Sequence, residues 1–338
     1  MTTTTNTRAD LPAPDSAPAP SRFTRARIED LLVRNSMVLV LLLVICYFSY
    51  KSARFATADN LQTILIAAAP FALVALGQTL VILTGGIDLS VGSVIAVSAM
   101  TGASVAVGHP GQVWLAVAAA VGVGTVCGLI NGLIVSRLGV APFVATLGML
   151  TAASGFAYVI GGGAPINGLP EQYGNIANSQ ILGLQIPVIV MIAGFVILGV
   201  VMTRTSFGLR IYAVGGNRTA AEVAGVNTRR ILTSVYVLSG ALAGLSGVIL
   251  SSRVISGPPN LGQGYELYAI AAVVIGGASL MGGRGTIWGT LLGLLLIQTL
   301  NNGLDLLIVP AYWQKVISGV LIVAAVAVDV WATRRRRS

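Results

Sequence analysis

The residue best suited to chemistry in this chain is an aspartate set in an otherwise apolar stretch. Asp88 lies in the segment TGGIDLS, residues 84–90, between two long apolar runs. A carboxylate flanked by runs of bilayer-spanning length is costly and indicates a functional site. Gly85 and Gly86 permit a helix break there, which frees backbone N–H and C=O groups to line a cavity. A second interpretation, compatible with the first, is that Asp88 and Ser90 cap the following helix.

Other reactive residue types are too sparse to build an enzyme site. The two lysines, Lys51 and Lys315, do not follow a glycine-rich loop, so the sequence has no phosphate-binding G-x-x-x-x-G-K-[ST] motif. His109 lies in a turn-like GHPG, and Cys46 and Cys127 lie in separate apolar runs, which predicts neither a zinc site nor a Cys/His pair. We therefore expect no metal, no bound cofactor and no ATPase site in this chain.

A second glycine-rich segment echoes the first. Residues 275–283 read IGGASLMGG, and alignment on the double glycine gives a shared G-G-x-[D/S]-L-x-x-G pattern. Broken helices at corresponding places in an internal repeat mark the pathway in many transporters. The pattern is short and dominated by glycine, so coincidence stays an alternative.

The third segment of interest is the long polar loop 203–230. Thr219 and Glu222 have the spacing of a capping box, and Gly225 is suited to end a helix. The spacing predicts a helix of about two turns, too short to persist unless it docks on another surface. That surface is either a partner protein or the chain's own membrane domain.

Composition identifies the environment of these segments. Of 338 residues, 55% are hydrophobic and only 9% are charged, with a mean hydropathy of +0.86. Soluble domains carry about 25% charged residues, so most of this surface must face lipid. The predicted fold class is all-α, a polytopic bundle of transmembrane helices.

Charge-free runs of suitable length predict ten spans. They are 36–50, 61–83, 89–107, 113–135, 142–160, 186–202, 231–252, 267–281, 286–309 and 315–331. With a cytoplasmic amino terminus, sixteen of the twenty basic residues fall on the cytoplasmic side, as the positive-inside rule requires. Both termini are then cytoplasmic, and the net charge of +9 reports topology, since no basic face is interleaved with aromatic residues for nucleic acid.

The ends of the chain differ from the bundle in composition. Residues 1–21, rich in Thr and Pro, are predicted to be disordered, and 22–35 suit a short interfacial helix or a merely basic lead-in. The transmembrane domain covers 36–333, and 334–338 form a basic tail. A cleaved signal peptide is disfavoured, because the first apolar run starts deep in the chain and lacks an A-x-A site.

Four stretches resemble the ribose-type permeases of bacterial ATP-binding-cassette (ABC) importers, within the branched-chain and ribose permease superfamily. They are 77–93, 213–217, 264–274 and 300–304. The resemblance implies a multi-pass inner-membrane subunit that pairs with a second copy or a sister permease, two cytoplasmic ATPases that hydrolyse ATP, and a periplasmic sugar-binding protein. It also implies that the loop 215–225 contacts the ATPase.

The sequence thus nominates two sets of site residues. The predicted pathway set consists of Gln78, Thr79, Gly85, Gly86, Asp88, Ser90, Asn301 and Asn302. Asn131 is also polar, but there the tying together of helices is the stronger interpretation. The predicted coupling set consists of Gly215, Gly216, Asn217, Thr219, Glu222 and Gly225.

Several alternatives remain open at the level of sequence. Related permeases carry nucleosides, branched-chain amino acids or a signalling furanone, and the separate binding protein selects among such solutes. A proton-coupled secondary transporter would need titratable groups within the membrane, for which Asp88, Asp305 and Glu266 are the few candidates. A polytopic membrane enzyme is the least favoured alternative, because no catalytic constellation is present.

Overall fold

The computed structural model describes residues 36–317, 319–320 and 323. The predicted tail 1–21, the possible interfacial helix 22–35 and the basic tail 334–338 lie outside the described residues. So does most of the tenth predicted span, 315–331.

About three quarters of the described residues are helical, and sheet is almost absent among them. Its helices are α1 (Ser36–Lys51), α2 (Ala58–Leu83), α3 (Val91–Ala106), α4 (Val113–Arg137), α5 (Pro142–Ile160), α6 (Glu171–Asn178), α7 (Ile186–Arg204), α8 (Ser206–Gly216), α9 (Arg218–Val223), α10 (Thr228–Val254), α11 (Tyr265–Ile275) and α12 (Ile287–Leu306). A 3₁₀ turn, Pro110–Gln112, precedes α4, and residues 311–317 are also helical. The antiparallel strands β1 (Gln180–Ile181) and β2 (Leu184–Gln185) form a small hairpin before α7.

Six of the described helices are long and apolar enough to cross a membrane: α2, α4 together with its 3₁₀ turn, α5, α7, α10 and α12. The shorter apolar helices are α1, α3 and α11. This confirms a polytopic helical fold, whereas the count of ten spans stays a prediction.

Helices α2 and α10 form the centre of the bundle. The residues of α2 from Ala72 to Leu83 are all buried, and α10 packs against α2, α3, α4 and α6. By contrast, α5 exposes most of its apolar side chains, among them Phe156, and α7 exposes an apolar face that includes Ile197 and Val200. A helix that is apolar and buried all round belongs to the core, and one with an exposed apolar face suits lipid or a partner subunit.

Two short helices begin inside the bundle. Asp88, just before α3, bonds to Ser239, the twelfth residue of the 27-residue α10. At 1.5 Å per residue, the start of α3 is about 16 Å from the nearer end of α10. The loop before α11 descends along α3, with Gly257 packed on Ala103 and Gly262 on Ile95, so α11 also begins about 12 Å below the level of Ala103.

Some predicted boundaries were wrong. The eighth span was predicted to reach residue 281, but α11 ends at Ile275 because Gly277 adopts a φ of +88° that turns the chain away. The loop 161–185 contains helix α6 and the hairpin, neither of which was predicted. Residues 206–216, predicted as loop, form α8 because its apolar Ile211 and Val214 are buried in the core.

Candidate functional site at the starts of helices α3 and α11

Asp88 is held by three hydrogen bonds. Its Oδ1 accepts from the backbone N–H of Ser90 over 3.0 Å and from the Ser90 hydroxyl over 2.6 Å. Its Oδ2 accepts from the Ser239 hydroxyl on α10 over 3.0 Å. Asp88 therefore satisfies an N–H at the entry to α3, while Ser90 makes no side-chain cap bond of its own.

The neighbouring polar residues connect helices to one another. Asn131 on α4 donates to the Ser90 hydroxyl over 2.9 Å, as expected for a residue that ties helices together. With the oxygen and nitrogen of its amide exchanged, which is the orientation that satisfies both atoms, Gln78 donates to the Asp88 C=O over 3.1 Å and accepts from the Asp88 N–H over 3.3 Å. Thr79 shares a 2.8 Å hydrogen bond with Thr290 on α12.

Asn301 and Asn302 lie elsewhere. Asn302 and Asn60 form a reciprocal amide pair, with both N–H···O distances at 2.9 Å. Asn60 is near the start of α2, 18 residues before Gln78, which corresponds to about 27 Å along the helix. The structure therefore brings Gln78, Thr79, Asp88 and Ser90 together but places the two asparagines near the other end of the bundle.

The four clustered side chains are at most 1% exposed. Within this chain they hold a broken helix against its neighbours, because buried polar groups with complete hydrogen bonds fix one arrangement of the elements that carry them. Their role as a lining of the solute pathway stays a prediction.

An open cavity lies one turn further along α3, at the meeting point of the two short helices. Its volume is about 190 Å³, and its walls are formed by α3, α5 and the segment from Pro259 to Glu266. The polar side chains around it are Ser93, Ser154, Tyr158, Asn260, Gln263 and Glu266. Sequence reasoning missed this site because the lining comes from three distant segments; only Glu266 had been noted, as a titratable group.

Close packing brings the starts of α3 and α11 together at this cavity. The Glu266 carboxylate lies against Gly92, where any side-chain β-carbon would overlap it. Tyr265, the first residue of α11, stacks on Phe71 of α2 with ring centroids 3.7 Å apart. The segment 264–266 is thereby anchored on both sides.

The two glycine-rich segments end their helices in the same way, but in a different register from the predicted one. After α2, the Gly86 N–H bonds to the Val81 C=O over 3.1 Å, and Gly85 has a φ of +80°. After α11, the Ala278 N–H makes the equivalent 3.1 Å bond to Val273, with Gly277 at +88°. Gly85 thus corresponds to Gly277, one residue beyond the alignment, and Ser279 is not the counterpart of Asp88.

Three glycine pairs meet beneath these breaks: Gly85–Gly86, Gly215–Gly216 and Gly282–Gly283. We call this contact the glycine junction. The Gly283 N–H donates to the C=O of Leu83, the last residue of α2, over 2.9 Å. Gly215 of α8 packs on both groups, with no room for a β-carbon. Nearby, the Tyr212 hydroxyl of α8 donates to the Gly285 C=O over 2.9 Å.

Helix α9 follows the junction directly. Asn217 ends α8 and also caps α9, since its side chain accepts from the Ala220 N–H over 3.0 Å. The predicted Thr219–Glu222 capping box is wrong, because Asn217 already takes the capping position. Gly225, with a φ of +83°, ends the helix as predicted, and the Val226 N–H closes the turn on Ala221.

Glu222 links α9 to α10. Its carboxylate accepts from the Thr228 hydroxyl over 2.6 Å and pairs with Arg218 over 3.3 Å. These two donors, Thr228 first, hold the pKa of Glu222 below its usual range. The carboxylate therefore remains ionised at neutral pH, and the link would weaken only in acid.

Comparison with known proteins agrees with this architecture. Residues 60–326 match the family model described as branched-chain amino acid transport system, permease component. The chain is 42% identical to the ribose import permease of Bacillus subtilis, over 90% of this chain and 95% of that protein. It is also 42% identical to the ribose import permease of Escherichia coli K12, over 88% and 94% of the two chains.

A relative for another sugar is nearly as similar. The D-allose transport system permease of Escherichia coli K12 is 36% identical, over 87% of this chain and 90% of that protein. No solved structure matches the chain. With most of its length covered by the family model and by full-length relatives, this chain belongs to the branched-chain amino acid transport system permease family.

Proposed function

We propose that this chain is the membrane subunit of an ABC importer that moves a ribose-type monosaccharide across the inner membrane. The observation that carries the proposal is the 42% identity to ribose import permeases along nearly the whole of both chains. The assembly consists of this chain with a second copy or a sister permease, cytoplasmic ATPase subunits and a periplasmic sugar-binding protein. The binding protein selects the solute, so nucleosides, branched-chain amino acids or a furanone are the alternative cargoes.

The surroundings of Asp88 argue against this residue as the carrier in proton-coupled transport. A proton carrier must exchange protons with water, whereas both Asp88 oxygens accept hydrogen bonds from fixed donors in a fully enclosed site. Such an arrangement serves to position helices.

Reconstitution tests the proposed function. The permease, its ATPase and its binding protein are placed in proteoliposomes, and uptake of radioactive D-ribose is followed with ATP inside. We expect uptake to require ATP and to be absent when only a proton gradient is imposed. Uptake driven by the gradient without the ATPase would support the secondary-transporter alternative instead.

The proposed topology has ten spans with both termini cytoplasmic, and the α8–α9 segment on the ATPase side. Arg204, Arg210 and Arg218 lie in or beside this segment, which supports the assignment. Reporter fusions after Gly168 and after Arg218 are expected to report periplasmic and cytoplasmic locations respectively. If both reporters lie on one side of the membrane, the topology is wrong.

Helix α9 is the proposed contact with the ATPase. Ala221 packs inward while Val223 is 86% exposed, which leaves an apolar side chain for a partner surface. The segment depends on the glycine junction for its position, because Gly215 of α8 packs on Leu83 and Gly283.

Substitution of Gly225 tests this role. Gly225→Val places a β-branched residue at a φ of +83°, at a cost of about 1–2 kcal/mol, and should fray the end of α9. We expect binding-protein-stimulated ATP hydrolysis and uptake to fall together. Gly225→Asn is the matched control, because asparagine tolerates this backbone conformation. If both variants, in an assembled complex, show wild-type rates of ATP hydrolysis and of uptake, then this loop only connects the helices on either side of it.

A further inference from the structure

We propose that the cavity at the starts of α3 and α11 is a solute-contact site, where hydroxyl groups of the transported sugar meet polar side chains halfway across the membrane. The inference rests on the proposed function and adds the place of contact. It differs from the pathway set predicted from sequence, whose members are enclosed in the core.

Depth is the first argument. Both helices begin within the bundle, since the preceding loops run inward along α10 and α3. Asn260 and Gln263 on one of these loops are exposed at the surface of the chain, and Ser93, Ser154 and Glu266 are partly exposed. Polar groups at this depth cannot face hydrocarbon without a large desolvation cost, so they face water or another protein.

The chemistry of the lining is the second argument. Side-chain amides, hydroxyls and a carboxylate supply both donors and acceptors, as a polyhydroxylated solute requires. Among the described residues, Glu266 has no salt-bridge partner, and a carboxylate has enough lone pairs to accept from a solute hydroxyl as well as from backbone N–H groups. The exposed ring of Tyr158 adds an apolar edge of the kind that packs on the C–H face of a sugar.

The size of the cavity and the discontinuous helices around it suit a brief contact with the transported solute. The volume of about 190 Å³ is below the range of about 300–1,000 Å³ for pockets that enclose a ligand fully. A transport pathway needs weak contact, because a tightly held solute leaves slowly. Discontinuous helices that begin at the membrane midplane supply solute sites in other transporters.

Cysteine labelling tests whether water reaches the cavity. In a background with Cys46→Ser and Cys127→Ala, the variants Gln263→Cys and Ser154→Cys are treated with a charged, membrane-impermeant methanethiosulfonate. Phe156→Cys is the matched control, since it lies two residues from Ser154 on α5 and exposes an apolar surface. We expect modification at Gln263→Cys and Ser154→Cys but not at Phe156→Cys. Unmodified cysteines at the cavity would overturn the proposal.

Transport by the variant Gln263→Ala/Glu266→Gln tests contact with the solute. In the reconstituted complex we expect D-ribose uptake to fall about tenfold, as for the loss of one or two hydrogen bonds, while binding-protein-stimulated ATP hydrolysis stays unchanged. The ratio of D-ribose to 2-deoxy-D-ribose uptake should also change. Wild-type rates and ratio, or a parallel fall of uptake and hydrolysis, would overturn the proposal. Failure of the wild-type complex to transport ribose would instead count against the proposed function.

Discussion

Gly215→Ala is expected to abolish ATP-driven uptake and to lower the thermal stability of the purified permease. A β-carbon on Gly215 would overlap the Leu83 carbonyl oxygen and crowd the Gly283 amide nitrogen. Both neighbours are backbone atoms, which cannot rotate away as a side chain could. Overpacking of this kind costs about 1–3 kcal/mol, and relief by displacement of α8 would break the bond from Gly283 to Leu83.

The adjacent glycine provides a close control. A β-carbon on Gly216 meets no atom within 4 Å, so Gly216→Ala should leave both the melting temperature and uptake near wild type. The two variants add the same methyl group one residue apart. If they behave alike in thermal melting and in the proteoliposome assay, the glycine junction does not position α8 and α9 against the helix breaks.

Asp88→Leu is expected to have the second large effect, a failure to accumulate folded permease. The leucine leaves the Ser90 N–H and the Ser239 hydroxyl without their acceptor in a fully buried place. Each buried group without a partner costs about 1–3 kcal/mol. Accumulation in the membrane and thermal melting in detergent measure the effect.

Asp88→Asn separates hydrogen bonding from charge. The asparagine keeps the size and one acceptor oxygen, so the bond from the Ser90 N–H survives, and we expect a loss on the order of 1 kcal/mol. Uptake by Asp88→Asn should remain measurable. A folded, fully active Asp88→Leu permease would show that the carboxylate is dispensable for the start of α3.

Much of the architecture was predictable because membrane spans depend on local composition. Helices α2, α4, α5, α7 and α10 begin and end within a few residues of the predicted spans. The break at Gly85 and the stop at Gly225 were predictable for the same reason, since a positive φ selects glycine locally. The helical assignment of α8 failed because its stability comes from burial of Ile211 and Val214 against other helices, which its own sequence does not report.

The capping error and the repeat register have a common cause. Thr219 and Glu222 have the right spacing for a capping box, but the helix is capped by Asn217, two residues before Thr219, and Glu222 bonds to Thr228 instead. Likewise, the double glycines align by letter, yet the turn after α11 places Gly277 at the position of Gly85. In both segments the sequence is compatible with more than one local arrangement, and contacts with the surrounding helices determine which one forms.

The sequence by itself determined that this chain is a helical membrane protein, that the chain breaks at Gly85 and Gly225, and which permeases it resembles, because hydropathy, glycine conformation and motif identity are properties of contiguous residues. Only the tertiary structure decided which polar residues meet. In the fold, Asp88 is buried beside Ser239 and Asn131, and Asn302 pairs with Asn60. Ser93, Ser154 and Gln263 line one cavity. These residues are far apart in sequence, and their proximity follows from how the helices pack and how deep each one begins.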